Sequence, residues 1–190
     1  MPQKNLRFGL FGARGIKGGD AVAAQLDRLA GGIATPVTSK RGWTARLNYL
    51  TRTDHARAAA KAAGLTVTDR TLKAWRGGKR TPSKASLQKI ERAYTAVRRQ
   101  NVAKHLLKRL NRDGRGTRIE IHPLNQSQVP QRNKRVLTHR TMNVRKWDRL
   151  VGAWAAGDSR ELEAGWDDAI GDLGSDWGGY EYVTNVGFAA

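Results

Sequence analysis

The sequence contains no cysteine, which excludes a disulfide framework and any thiolate metal site. It also lacks a run of about 18 consecutive apolar residues, so no segment predicts a membrane-spanning helix. The N-terminal residues have no long apolar core of the kind that a secretory signal peptide carries. These absences lead us to expect a cytoplasmic protein with no membrane partner.

Acidic residues are scarce everywhere except at the C-terminal end. The 190 residues include 16 Asp and Glu against 35 Lys and Arg, which gives a net charge of +19. Residues 1–150 hold 34 of the basic and 8 of the acidic residues, whereas residues 151–190 hold one basic and 8 acidic residues. A positive excess of this size predicts a polyanionic partner, and nucleic acid is the commonest one. We therefore expect a protein associated with the nucleoid.

The hydrophobic periodicity predicts a mainly α protein with a small α+β C-terminal part. Residues 1–20 are Gly-rich and basic and predict a flexible arm. Residues 21–112 predict a helix-turn-helix domain that ends in a long basic helix from about residue 84. Residues 113–190 predict a β-β-α-α-β domain with an acidic C-terminal end.

A helix-turn-helix motif is predicted by the stretch from residue 54 to residue 76. Gly64 allows the positive φ that a tight turn between two helices requires. The second helix starts after a cap at Thr68 or Asp69. Trp75 faces the core together with Leu72, or alternatively stacks on the sugar–phosphate edge of DNA. The motif predicts binding of double-stranded DNA, with the second helix in the major groove.

The residues expected to contact DNA lie on the second helix and in the basic turn after it. The helix N-terminus and its cap suit a phosphate, the exposed helix residues suit base edges, and the turn suits further phosphates. They are Thr68, Arg70, Thr71, Lys73, Arg76, Lys79, Arg80 and Lys84.

The segment "AAGLTVTDRTLKAWRGGKRTPSKASLQKIERAY", the basic helix that it enters and the mixed second half resemble the telomere terminal proteins of linear bacterial replicons. The resemblance covers about residues 45–187 and is specific in the helix-turn-helix. It implies a small basic protein that becomes joined covalently to the 5′ end of DNA. It further implies a hydroxyl, a Thr by family habit, that accepts the first nucleotide when a DNA polymerase primes on protein. Thr117 in "GRGTRIEI" is the closest match, and Ser127 and Thr138 are the next candidates.

The four histidines are scattered along the sequence and show no HxH or HxxxH spacing of a metal site. His122 and His139 would meet only if the two strands that carry them pair. Tyr180 and Tyr182 share a face of a predicted strand but have no histidine cluster beside them in the sequence. We therefore expect no metal, no cofactor and no catalytic residues, and a protein that is not an enzyme.

The function that the sequence favours is that of a terminal protein, which caps linear DNA ends and acts in protein-primed DNA replication. Its expected partners are double-stranded DNA and a DNA polymerase or another replication protein. One alternative is a helix-turn-helix regulator of transcription that binds DNA as a homodimer. Another is a DNA-packaging or nucleoid protein, for which charge alone would suffice and no sequence preference is expected.

Overall fold

The computed structural model describes residues 12–173 and 180–189 of the chain. These residues form seven α-helices and a four-stranded antiparallel sheet, which confirms the expected mainly helical class with a small β part. Within the same residues, no helix combines the length and the apolar character needed to cross a membrane.

Helices dominate the first half of the chain, and three of the four strands lie in the second half. The helices are α1 (Gly18–Ala30), α2 (Lys40–Leu50), α3 (Asp54–Ala62), α4 (Asp69–Arg76), α5 (Lys84–Asn111), α6 (Asp148–Ala156) and α7 (Ser159–Ile170). The strands are β1 (Ile16–Lys17), β2 (Thr117–Pro123), β3 (Arg140–Val144) and β4 (Tyr182–Phe188). The contacts within the chain divide it into two units. The helical unit is Ala30–Val102, and the sheet unit comprises the described residues on both sides of it.

Helices α2 to α5 each begin after a Ser or Thr whose hydroxyl caps the first turn. The side-chain oxygens of Ser39, Thr53, Thr68 and Ser83 each accept a hydrogen bond from the backbone N–H three residues further on. Such caps satisfy a donor that the helix itself leaves unpaired, and each stabilises its helix by about 1 kcal/mol. The position of each of these hydroxyl residues therefore marks where one of the four helices starts.

The core of the helical unit gathers apolar side chains from all four of its helices. The buried members are Trp43, Leu47, Leu50, Ala60, Leu65, Trp75, Ile90, Ala93, Tyr94 and Val97. The short helix α4 contributes Trp75 as its one buried side chain, and Leu72 packs against the same core while partly exposed.

One charged side chain, Arg46, lies within this apolar surrounding with only 5% of its surface exposed. Its guanidinium donates hydrogen bonds to the carbonyls of Ile33 and Thr35, and its Nε lies 2.6 Å from the carboxylate of Glu91. It also sits 5.2 Å from the centre of the Tyr94 ring. Arg46 thereby ties the segment before α2 to the long helix α5.

The sheet unit is built on strands in the order β1-β4-β2-β3, all antiparallel. Three fully buried tryptophans fill its core, and each indole N–H finds an acceptor in the same unit. Trp147 donates to the Val144 carbonyl, Trp154 to the Asp27 carboxylate and Trp166 to the Tyr180 carbonyl, all at 3.0 Å. Because buried N–H groups are costly when unpaired, these bonds specify how each ring is oriented.

The region predicted as a flexible arm is structured over its described part, from residue 12 to residue 20. Arg14 and Asn125 exchange two backbone hydrogen bonds of 3.0 Å, and β1 pairs with β4. The first eleven residues of the predicted arm lie outside the described residues. Helix α1 also differs from the prediction, because its Asp27 binds Trp154 and places it in the sheet unit. The sequence of a single helix near the N-terminus does not indicate whether the helix packs in the core of the helical unit or in that of the sheet unit.

The carboxyl group of Glu163 on α7 is turned inward, where its Oε2 accepts a hydrogen bond from the Gly19 backbone N–H at 3.1 Å. Burial raises the pKa of Glu163 from its ordinary value of 4.5 to about 7. Between these two values the folded chain keeps a proton that the unfolded chain releases, so the free energy of unfolding falls as pH rises through this window. We expect Glu163→Gln to be more stable than the wild type at about pH 8, and to lose this advantage below about pH 4.5.

Urea unfolding at a series of pH values measures this difference, and Glu161→Gln is its control. The pKa of Glu161 is lowered by its hydrogen bond from Arg149, whose Nε lies 2.6 Å from Oε1. Because the pKa of Glu161 is lowered in the folded chain, its ionised carboxylate stabilises the fold at pH values above the pKa of the unfolded chain. This stabilisation disappears as acid protonates the carboxylate, so Glu161→Gln should be less stable than the wild type at neutral pH but not in acid. The same pH trend in both variants would contradict the buried position of Glu163.

Candidate nucleic-acid interface

Helix α4 is an eight-residue helix that the chain stabilises at both ends. The Thr68 hydroxyl accepts from the Thr71 N–H at 3.2 Å, and the two Thr hydroxyls lie 3.0 Å apart. At the other end, the Gly77 N–H donates to the Lys73 carbonyl at 2.9 Å. On one side Trp75 is only 6% exposed and lies in the core of the helical unit. The opposite side of α4 is therefore left to solvent.

The turn between α3 and α4 contains the backbone conformation that the sequence predicted. Gly64 has a φ of +93°, and a Cβ placed on it would meet nothing within 4 Å. Glycine is thus favoured there by the backbone angle and not by a lack of space. The next residue, Leu65, is 6% exposed and its N–H donates to the Ala60 carbonyl at 3.0 Å. These contacts bring the chain from α3 into α4 over a buried leucine.

The turn after α4 folds back onto the helix and adds two cations to it. Gly78 has a φ of +70°, and the backbone N–H groups of Lys79 and Arg80 both donate to the Ala74 carbonyl, at 2.9 and 3.3 Å. As a result, Lys79 and Arg80 lie beside the exposed face of α4. A cleft of about 650 Å³ is lined by Arg70, Thr71, Lys73, Ala74, Lys79 and Arg80. We call the four Lys and Arg residues of this cleft the α4 cation cluster.

The side chains of the α4 cation cluster are all exposed. Among the residues that the structure describes, none of the four side chains takes part in an ion pair or a side-chain hydrogen bond. Four neighbouring cations without an acidic partner repel one another, and an anionic ligand would relieve that repulsion.

Comparison with protein-family models, curated proteins and solved structures returns no match. The candidate interface therefore rests on its own residues and geometry.

Three of the predicted DNA-contacting residues lie outside the cleft. Thr68 caps α4 and Lys84 starts α5, and both are exposed. Arg76 is also exposed, but its Nε donates to the Asn48 side chain on α2 at 2.9 Å. Arg76 thus links α4 to α2, a role that its position in the sequence did not reveal.

Lys40 is a further cation near the cleft, and the sequence did not predict its position there. A Cβ on Gly78 would lie 2.8 Å from the Nζ of Lys40, so the amine of Lys40 approaches the turn after α4. Lys40 is the first residue of α2 and is exposed. No sequence signal joins residues this far apart, because only the packing of α2 against α4 brings them together.

Thr117 does not have the accessible hydroxyl that the resemblance requires of a nucleotide acceptor. Its side chain is 0% exposed, and its Oγ1 donates to the Leu110 carbonyl at 2.7 Å. The strand TRIEIHP places Thr117 on the same face as the buried Ile119 and Ile121, which is the physical reason for its burial. Ser127 and Thr138, the other two candidates, are both exposed.

Proposed function

We propose that the chain binds double-stranded DNA through a helix-turn-helix formed by α3, residues 63–68 and α4. The single observation that carries the proposal is the two-sided character of α4. Trp75 fixes one side of the helix in the core, while Arg70 and Lys73 extend from the other side without an acidic partner among the described residues. A helix anchored in this way is able to present a basic face to a groove.

The two parts of the α4 cation cluster suit two kinds of DNA contact. Arg70 lies in the first turn of α4, and the N-terminal residues of a recognition helix are those that reach base edges. A guanidinium binds O6 and N7 of guanine through two hydrogen bonds. Lys79 and Arg80 flank the helix and suit phosphates, which position the protein without reading the sequence.

The binding proposal is tested with alanine variants of Arg70 and Lys73 on a DNA site selected from a random library. Each change should weaken binding to the selected site by about 1–3 kcal/mol, which is about 5- to 150-fold. Arg70→Ala should also relax the preference at one base position. Fluorescence anisotropy at a fixed salt concentration measures both effects.

Arg160→Ala is the matched control, because it removes the same charge from an exposed helix position in the sheet unit. It should change the affinity only slightly, through the net charge. If Arg70→Ala and Lys73→Ala bind the selected site as tightly as Arg160→Ala does, α4 is not the recognition helix.

Within DNA binding, we propose the role of a terminal protein that caps linear DNA ends and serves as the primer for a DNA polymerase. The support is the resemblance of residues 62–94 to telomere terminal proteins. The acceptor hydroxyl must be reachable by a polymerase, so Ser127 and Thr138 replace Thr117 as the candidates.

Mass spectrometry of the protein extracted from cells tests this role directly. Half of the sample is digested with nuclease, and both halves are weighed and mapped by peptide. A nucleotide adduct on Ser127 or Thr138 that survives digestion supports the role, and its loss in the matching Ala variant identifies the acceptor. An unmodified mass together with intact, sequence-specific DNA binding would favour a regulator of transcription instead.

A further inference from the structure

The face of the sheet that points away from the core carries a cluster of metal-ligating side chains. Along β2, Ile119 and Ile121 are buried in the core, so the alternating residues Glu120 and His122 point to the other face. Strand β3 pairs with β2 through Ile121 and Arg140. Extending this antiparallel register by one residue places His139 directly opposite His122.

The three side chains lie close together in the structure. The imidazole rings of His122 and His139 have their centres 4.7 Å apart, with 34° between their planes. One ligand atom from each of Glu120, His122 and His139 lies within 4.8 Å of the other two. His122 is half-buried, whereas Glu120 and His139 are exposed. The backbone of two paired strands therefore brings two imidazoles and one carboxylate to one place.

The neighbouring strand leaves this place open. Gly187 on β4 pairs with Glu120, and a Cβ on Gly187 would lie 3.7 Å from the Glu120 side chain. Glycine at this register position thus adds no side chain over the carboxylate. Asn185, which pairs with His122 on the same strand, is exposed. An ion would reach the cluster from solvent without any strand having to move.

We propose that Glu120, His122 and His139 form a binding site for a divalent transition-metal ion, with Zn²⁺ as the best fit. Zn²⁺ takes imidazole nitrogen and carboxylate oxygen at about 2.0–2.2 Å, and two His with one Glu is an established ligand set for it. Ligand atoms around a tetrahedral ion are about 3.3 Å apart, so small side-chain rotations from the present spacing would complete the site. Exposed side chains make these rotations at little cost.

Three protein ligands leave a fourth position to water or to an external ligand. Arg118 lies two residues before Glu120 on the same strand and face, and its Nη2 is 3.4 Å from the Thr141 hydroxyl. Arg118 supplies a positive charge on this face of the sheet, which favours an anionic fourth ligand over a cationic one. The site requires no DNA bound to α4, so this proposal and the DNA-binding proposal stand or fall separately.

The composition leaves few competing ligands for such an ion. The chain has no cysteine and only four histidines, so His55 and His105 are the only histidine sites that could compete. The protein is purified without a histidine tag, freed of metal with a chelator and titrated with Zn²⁺ in a calorimeter. A parallel titration with Co²⁺ is followed by visible absorption, because a four-coordinate Co²⁺ site absorbs far more strongly than the hydrated ion.

We expect one equivalent of Zn²⁺ to bind, and His122→Ala and His139→Ala each to weaken binding at least tenfold. The matched control, the double variant His55→Ala/His105→Ala, should bind as the wild type does. Zn²⁺ should raise the melting temperature of the wild type and of this control, but not of His122→Ala. The metal-free variants should melt close to the metal-free wild type, since His139 is exposed and His122 is only half-buried. The proposal is wrong if no Zn²⁺ binds, if the control double variant abolishes binding, or if Co²⁺ retains the spectrum of the hydrated ion.

Discussion

Replacing Arg46 with Ala should lower the free energy of unfolding of the helical unit by about 3–5 kcal/mol. The change removes the donors for the carbonyls of Ile33 and Thr35 and leaves the Glu91 carboxylate without its cation. Breaking this pair from one side costs more than the pair contributes, because the two carbonyls and the buried Oε2 of Glu91 lose their donor, although the rest of the Glu91 side chain, 39% exposed, still reaches water. Typical domains have only about 5–15 kcal/mol to lose.

Urea unfolding followed by circular dichroism measures this loss, and Arg57→Ala is the control. Arg57 pairs with Asp54 at 3.4 Å on the surface, where more than half of its side chain is exposed. Exposed pairs contribute about 0–1 kcal/mol, so this variant should unfold almost as the wild type does. Equal losses in the two variants would contradict the buried role of Arg46. Because Trp75 lies in the same core, Arg46→Ala should also weaken the DNA binding proposed for α4 under mildly denaturing conditions.

The second large effect is expected at Trp166, the fully buried tryptophan of α7. Trp166→Ala should destabilise the sheet unit by about 3–5 kcal/mol, through lost apolar burial and the cavity left behind. The ring packs against the first turn of α1. The contact is so close that a Cβ on Gly18 would lie 1.9 Å from the Trp166 Nε1, so only glycine fits there. Its N–H also holds the Tyr180 carbonyl just before β4. The loss therefore removes a contact shared by α1, α7 and the approach to β4.

Hydrogen exchange followed by mass spectrometry resolves where the Trp166 variants lose protection. Peptides from α1, α7 and β4 should exchange faster in Trp166→Ala than in the wild type. Trp166→Phe is the graded control, because it keeps most of the apolar volume but lacks the N–H donor, so its loss should be clearly smaller. If the Ala and Phe variants are equally stable, the ring does not fill the core in the way described.

The sequence predicts the local elements well because their signals are local. Gly64 and Gly77 lie just after the ends of α3 and α4, and Ser83 lies just before α5, as the sequence predicts. The starts of α2 and α3 are less well predicted: the periodicity begins α2 at Trp43 and makes Asp54 the cap of α3, whereas the structure begins α2 at Lys40 and caps α3 with Thr53. Strand β3 is less well predicted: the alternation predicts a strand from residue 135, but the structure begins it at Arg140. The Gln126 side chain bonds both the N–H and the carbonyl of Arg135, which keeps that residue in a loop.

What the sequence does not predict are contacts between distant residues. The approach of Lys40 to Gly78 and the bond from Arg76 to Asn48 both depend on packing. The meeting of His122 with His139 was expected only on the condition that their strands pair, and the structure fulfils that condition. Thr117 is a different case, because alternation along β2 already places it on the face of Ile119 and Ile121. That alternation by itself argues against Thr117 as an exposed acceptor.

The helical unit is one uninterrupted stretch, whereas the sheet unit is assembled from two stretches on either side of it. During synthesis, residues 30–102 are all made before β4, the strand with which β1 pairs. Domains fold in the order in which they emerge, so α2 to α5 can close around their core first. In a nascent chain of this protein, the helical unit would thus be folded before Trp147, Trp154 and Trp166 have reached their final places in the sheet unit.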